Sequence, residues 1–326
     1  MTVATAVPGS DGGADECLRA VRGVTLPDRV AALADGYDRH FEERDRFLWR
    51  WVYALLPSFT LSTVDEAHAA HVREQKTLLT MYVTVLDDLV EHRGDRATFR
   101  EARRLACDTV APDPERAAVD PETFAFVERL WTEFEDGLAG APRRAEFADH
   151  FAYDFRQTAD AMEYSALVSD TPHMANLAGT TRYGAHNMVM FPYADVDLMF
   201  SPAFDRRDLG ALRDTLWDLQ EMARIGNWLT TWEREVLEDD FSAGVVVAAV
   251  EEGVVSPEEL AASEEPAAVV EAIRESGLEE RFRRRWQRIY DGVRSRDADA
   301  ESVDVDGLVA GMETVFEYHL ASKGLK

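Results

Sequence analysis

Asn227, Thr231 and Glu235 stand at i, i+4 and i+8 in the stretch Arg224–Glu235, so on a helix they share one face. That face offers an amide oxygen, a hydroxyl and a carboxylate, all hard oxygen donors of the kind Mg²⁺ takes. Arg224 and Arg234 flank it with guanidinium groups suited to phosphate oxygens. A second cluster lies upstream, where Asp87, Asp88 and Glu91 close an apolar run containing Leu78, Leu79, Met81, Val83, Val85 and Leu86. Asp87 and Glu91 are i, i+4 neighbours near a helix end, where like charges repel each other and the negative end of the dipole. A bound cation relieves that cost. Taken singly, each cluster also reads as an ordinary hydrated stretch of helix, so the weight lies in the pair.

The elements that must position these residues are helical. The apolar spacing from Leu26 and the stretches 62–91, 96–108, 121–139, 143–168, 205–238, 256–275, 278–294 and 304–321 predict α-helices, with a dense apolar block Phe47–Leu56 stopped by Pro57 and an apolar run over Phe241–Val250. Thr63 with Glu66 three residues on reads as a capping box for the helix that ends in the acidic cluster. Segment 173–200 is apolar and Met-rich, and Gly179, Gly184 and Pro192 predict a broken or kinked helix there. No convincing strand, repeat or Gly-rich phosphate loop is found. The expected fold class is all-α: residues 1–25 as a flexible lead-in and 26–326 as one compact helical bundle.

Composition narrows the partners. The chain carries 62 acidic against 35 basic residues, a formal charge of -27, which repels nucleic acid and anionic membranes. An anionic substrate therefore needs arginines or bound cations to reverse the sign locally. Lys76, Lys323 and Lys326 are the only lysines; adaptation to high salt and GC-rich coding account for the arginine bias equally well. Cys17 and Cys107 lack metal-site spacing and fit a reducing compartment. Neither a signal peptide nor a membrane-spanning run is read, the longest apolar run of note being Val245–Val250. A cytoplasmic location without nucleic acid or membrane partners is expected.

The two clusters together resemble the motifs of the class I terpene synthase family. Asp87, Asp88 and Glu91 match its DDxx(D/E) signature, and Asn227, Thr231 and Glu235 match its (N/D)xxx(S/T)xxxE signature. They occur in the family's order, 140 residues apart, a separation usual in bacterial members. The resemblance implies a carbon–oxygen lyase acting on a linear prenyl diphosphate such as farnesyl or geranylgeranyl diphosphate. It implies a trinuclear Mg²⁺ cluster, with Mn²⁺ as a substitute: Asp87 as direct ligand, Asp88 and Glu91 supporting it, and Asn227, Thr231 and Glu235 on the opposite wall. Arg234 matches a basic residue that contacts diphosphate. Arg182, 45 residues before Asn227, matches a diphosphate-sensing arginine, and Tyr183, Gly184 and Ala185 match the helix break behind it. Near the C-terminus, Phe316-Glu317-Tyr318-His319 retains a tyrosine for diphosphate but has no arginine before it. Phe59, Tyr82, Phe191, Trp228 and Tyr318 are the aromatic residues nearest the motifs and so the candidates to line a pocket, although core packing accounts for each as well. Homodimers are common in the family.

Four other readings are weighed. A chain-elongating prenyl synthase normally has two Asp-rich motifs, whereas the second motif here is Asn/Thr/Glu. Asp195-Val196-Asp197 only partly resembles the motif of proton-initiated cyclases. A helical di-iron oxidase would draw on Glu66, His68, His71, Glu74, His150 and His186, without a clearly repeated Glu-x-x-His spacing. A non-catalytic helical interaction protein would release no diphosphate at all.

Overall fold

The 3.6-residue period dominates the chain, and the helix Leu278–Arg294 (α14) illustrates it. In Leu278–Arg294, Leu278, Phe282, Trp286, Tyr290 and Val293 are buried while the arginines between them face outward. The computed structural model describes residues 11–41, 44–107, 110–262, 265–296 and 300–325. Among them the helices are α1 (Asp11–Arg22), α2 (Asp28–His40), α3 (Phe47–Leu55), α4 (Glu66–Asp87), α5 (Arg96–Cys107), α6 (Pro121–Leu138) and α7 (Arg144–Asp170). These are followed by α8 (Leu177–Arg182), α9 (Met190–Met199), α10 (Leu209–Leu237), α11 (Gly244–Glu251), α12 (Pro257–Ala262), α13 (Pro266–Glu275), α14 and α15 (Val305–Ala321). No strand occurs among the described residues, so the all-α expectation holds, and one continuous core joins the helices.

Two long helices organise the interior. α4 packs on α2, α3, α6 and α9, and α10 packs on α9, α11, α14 and α15. α9 joins the two sets. All ten of its residues are buried, as expected for a helix without a polar face. Its Pro192 sits in the first turn, where no intrahelical donor is lost. A buried ion pair fastens α9 to α4: Lys76 Nζ donates to Asp197 Oδ2 at 2.9 Å, and Asp197 also accepts from the Leu61 amide. Burial pushes the lysine down and the aspartate up, each opposed by the partner's charge. Next to this pair, where Lys76 also donates to the Phe59 carbonyl, α15 lies so close to the 56–59 turn that a Cβ on Gly311 would run into the Ser58 carbonyl.

Several expectations are corrected. The lead-in expected over 1–25 contains α1, which packs on α3 and α15; residues 1–10 lie outside the described residues. α4 begins at Glu66, not at Ser62, because Asp65 caps it by accepting from the Ala67 amide, while Thr63 donates to Ser201. The stretch 256–275 forms two helices, the second opening on Pro266. The predicted break in 173–200 is present: α8 ends at Arg182, a 3₁₀ turn covers Gly184–Met188, and α9 starts at Met190. Between them Val189 has φ of +59°, a left-handed conformation that a β-branched residue rarely adopts. No described helix is long and apolar enough to cross a membrane.

Candidate active site

α4 and α10 stand on opposite sides of a cavity of about 220 Å³, room for an organic ligand and not merely a few waters. Its polar end is built from Asp87, Glu91, Asn227, Thr231, Glu235 and Asp240, with Arg44, Arg224 and Arg234 between them. Its other end is apolar and aromatic, with Trp51, Phe59, Tyr193, Met190, Met312 and Val315. The two clusters singled out in the sequence therefore meet at one end of one cavity.

On α10 the geometry is that of a regular helix. Asn227, Thr231 and Glu235 line the cavity in successive turns. Asn227 Oδ1 accepts from Arg224 Nη1 at 3.0 Å, and the Thr231 hydroxyl donates to the Asn227 carbonyl at 2.9 Å. Burial, reinforced by Asp240, pushes Glu235 up to about 7, against the pull of Arg224 and Arg234. Arg224 is 6% exposed, and its Nε has no hydrogen-bond partner among the described residues. Its guanidinium lies 5.4 Å from the Trp228 ring. Arg234 pairs with Glu238 at 2.7 Å at the cavity rim.

On α4 the helix changes pitch. Residues Asp88–His92 form a π-turn, closed by the Arg93 amide donating to the Asp88 carbonyl at 2.9 Å. Asp87 and Glu91 line the cavity on either side of the start of this turn, and Asp88 does not. Asp87 accepts from Asn187 Nδ2 at 3.2 Å and lies 3.7 Å from Arg44. Burial, with Asp87 and Asp240 nearby, pushes Glu91 well above the usual carboxylate range. Its Oε1 is buried without a hydrogen-bond partner among the described residues. Asp88 is instead held inside the protein by Tyr37 and Arg44, at 2.6 and 3.0 Å.

Other expected site residues are not brought to the cavity. Arg182 is exposed at the end of α8, a helix that packs on α11, and the break reaches the cavity only at Asn187–Met190. Tyr183 is exposed, and Gly184 and Ala185 are buried away from the lining. The Tyr318 side chain lies beside Glu16 and Cys17 of α1, while its neighbour His319 lines the cavity, edge-on to Trp51 at 4.9 Å. Of the aromatic candidates only Phe59 lines the cavity; Tyr82, Phe191, Trp228 and Tyr318 pack elsewhere. Arg44, Asn187, Asp240 and His319 carried no motif. Only the third dimension brings them in.

The donor set suits Mg²⁺. It is all oxygen, and the buried Glu91 Oε1 is unpartnered among the described residues. Among the described residues, however, no three His, Cys, Asp or Glu side chains converge closely enough to hold an ion by themselves. Mg²⁺ usually takes one or two carboxylates and completes its shell with water and phosphate oxygens. The walls thus fit ions shared with a phosphorylated ligand. The histidines of the di-iron reading do not gather at one centre: His68 and His71 both stand against Phe200, with His71 bonded to the Gly137 carbonyl, whereas His186 faces Gln220. Asp195 and Asp197 are engaged with Asp154 and Lys76 in the core. No protein-family model matches the sequence, and no curated protein matches it significantly.

Proposed function

We propose that this cavity ionises a linear prenyl diphosphate and guides the resulting carbocation to a cyclised or quenched terpene, as a class I terpene synthase does. The observation that carries the reading is the meeting of Asp87 and Glu91 with Asn227, Thr231 and Glu235 at the polar end of a cavity whose other end is apolar. Mg²⁺ bound there would neutralise the charge that develops on the diphosphate leaving group. In that role Asp87 and Glu91 hold ions from one side, and Asn227, Thr231 and Glu235 from the other. Arg224 and Arg234 bind phosphate oxygens directly, which offsets the repulsion that a chain of charge -27 exerts on an anion.

The apolar end accommodates the hydrocarbon. Trp51, Phe59 and Tyr193 offer ring faces that stabilise a cation, and the enclosing side chains exclude water that would quench it. Asn227, Thr231 and Glu235 in the second motif favour this reading over chain elongation. The test is incubation with geranyl, farnesyl and geranylgeranyl diphosphates plus Mg²⁺ at low and high salt, followed by product analysis. Hydrocarbon or terpene alcohol products are expected from at least one substrate. Absence of diphosphate release from all of them rejects the function.

A further inference from the structure

Resting on the reading that this cavity takes a diphosphate, we infer that Arg44 is an anion-binding residue of the site and Asp88 its positioning residue, not a metal ligand. Arg44 lines the cavity, whereas the Asp88 side chain is fully buried and does not. Both Asp88 oxygens are engaged within the protein. Oδ2 accepts from the Tyr37 hydroxyl at 2.6 Å, and Oδ1 receives Arg44 Nε at 3.0 Å and Nη2 at 2.9 Å. An ion in the cavity would have to displace both Tyr37 and Arg44 to reach it.

The other side of Arg44 is arranged differently. Nη2 lies 2.8 Å from His92 Nε2, and because a guanidinium only donates, that nitrogen accepts and the imidazole proton resides on Nδ1. Nδ1 in turn lies 3.9 Å from Glu238, which pairs with Arg234. Nη1 has no hydrogen-bond partner among the described residues. A guanidinium fixed through Nε and Nη2, with Nη1 left unengaged among the described residues, is preorganised for an anion, since little side-chain freedom is lost on binding. Asp87 at 3.7 Å is too far for a strong hydrogen bond but near enough to share an ion-bridged phosphate with Arg44. Arg44 supplies α4's side of the cavity with a cation to face Arg224 and Arg234 of α10, and α15 contributes only Met312, Val315 and His319. The ligand chemistry is that of phosphate oxygens at the diphosphate end.

The experiment is calorimetric titration of inorganic pyrophosphate into the full-length protein over a range of Mg²⁺ concentrations, with melting temperature recorded for each variant. Arg44→Gln and Asp88→Asn should each weaken pyrophosphate at saturating Mg²⁺ by at least about tenfold, as expected for a lost charge-assisted contact, without raising the Mg²⁺ midpoint. Arg44→Lys should recover part of the loss. Asp87→Asn should instead raise the Mg²⁺ midpoint. If Asp88→Asn fails to fold, Tyr37→Phe, which loosens the same anchor, should give the same pattern at smaller size. A folded Arg44→Gln variant with unchanged pyrophosphate affinity overturns the anion role. An Asp88→Asn or Tyr37→Phe variant that raises the Mg²⁺ midpoint as Asp87→Asn does overturns the positioning role. Wild-type protein that binds no pyrophosphate at any Mg²⁺ concentration overturns the proposed function, and this inference with it.

Discussion

The two polar walls of the cavity are built by different means. The α10 wall is self-contained: Asn227, Thr231 and Glu235 follow one another at helical spacing, and their hydrogen bonds run within α10. The α4 wall is assembled from distant parts of the chain. Its carboxylates stand at a π-turn, Asp87 touches Asn187, and Asp88 is tied to Tyr37 and Arg44. α4 itself is fastened to α9 through Lys76 and Asp197. A local wall tolerates perturbation elsewhere in the fold; an assembled wall fails when any of its ties is cut.

If both walls hold the same diphosphate, their chemistry should fail equally. Asp87→Asn and Glu235→Gln are each expected to lower turnover by at least about 10²–10³-fold, the range for losing one preorganised electrostatic stabiliser. Both should keep a wild-type circular dichroism spectrum. Retained activity in both variants would remove the metal assignment.

Stability should distinguish the walls. Lys76→Met or Asp197→Asn leaves a buried charge unpaired and should cost about 3–5 kcal/mol in denaturant unfolding. Asn227→Ala, which cuts only a bond within α10, should cost about 1 kcal/mol. Equal costs would contradict the distinction between an assembled and a local wall.

Acidity probes the α10 wall in the metal-free protein. Glu235 has its pKa raised in the folded state to about 7, against an ordinary value of 4.5, so the fold binds its proton more tightly than the unfolded chain. The resulting stability is full below the unfolded pKa and is lost as pH rises through about 7, a change of about 3 kcal/mol at most. Urea midpoints measured in a chelator from acid to neutral pH should fall, and Glu235→Gln should flatten the slope. A slope unchanged in that variant would assign the acidity to other groups.

An effect as small as that of Asn227→Ala is expected at the apolar end, where the Thr80 and Tyr193 hydroxyls meet at 2.6 Å between α4 and α9. Tyr193→Phe should cost about 1 kcal/mol, the value of one buried hydrogen bond. Denaturant unfolding checks it, and a loss as large as that of Lys76→Met would mean the hydroxyl pair is itself a principal tie of α4.

This contrast explains what the sequence disclosed. Asn227, Thr231 and Glu235 were legible because a regular helix converts spacing directly into a shared face. The all-α class and the break after Arg182 were legible for the same reason, from apolar period and from Gly and Pro. Asp88 was not, because adjacent residues on a helix point in different directions and only Tyr37 and Arg44, far away in the chain, determine which of two aspartates turns inward. Tyr318 and His319 present the same difficulty one residue apart, decided by the packing of α1 against α15. Arg182 has the expected spacing from Asn227, but the turn that reaches the cavity lies several residues beyond it.

The central claim is that both walls act on one diphosphate. A crystal structure of the protein with Mn²⁺ and pyrophosphate, using the metal's anomalous signal, tests it most directly. The account predicts anomalous peaks beside Asp87 and beside Asn227, Thr231 and Glu235, joined by a pyrophosphate within reach of Arg224 and Arg234. Peaks confined to one wall, or pyrophosphate bound outside this cavity, would contradict it.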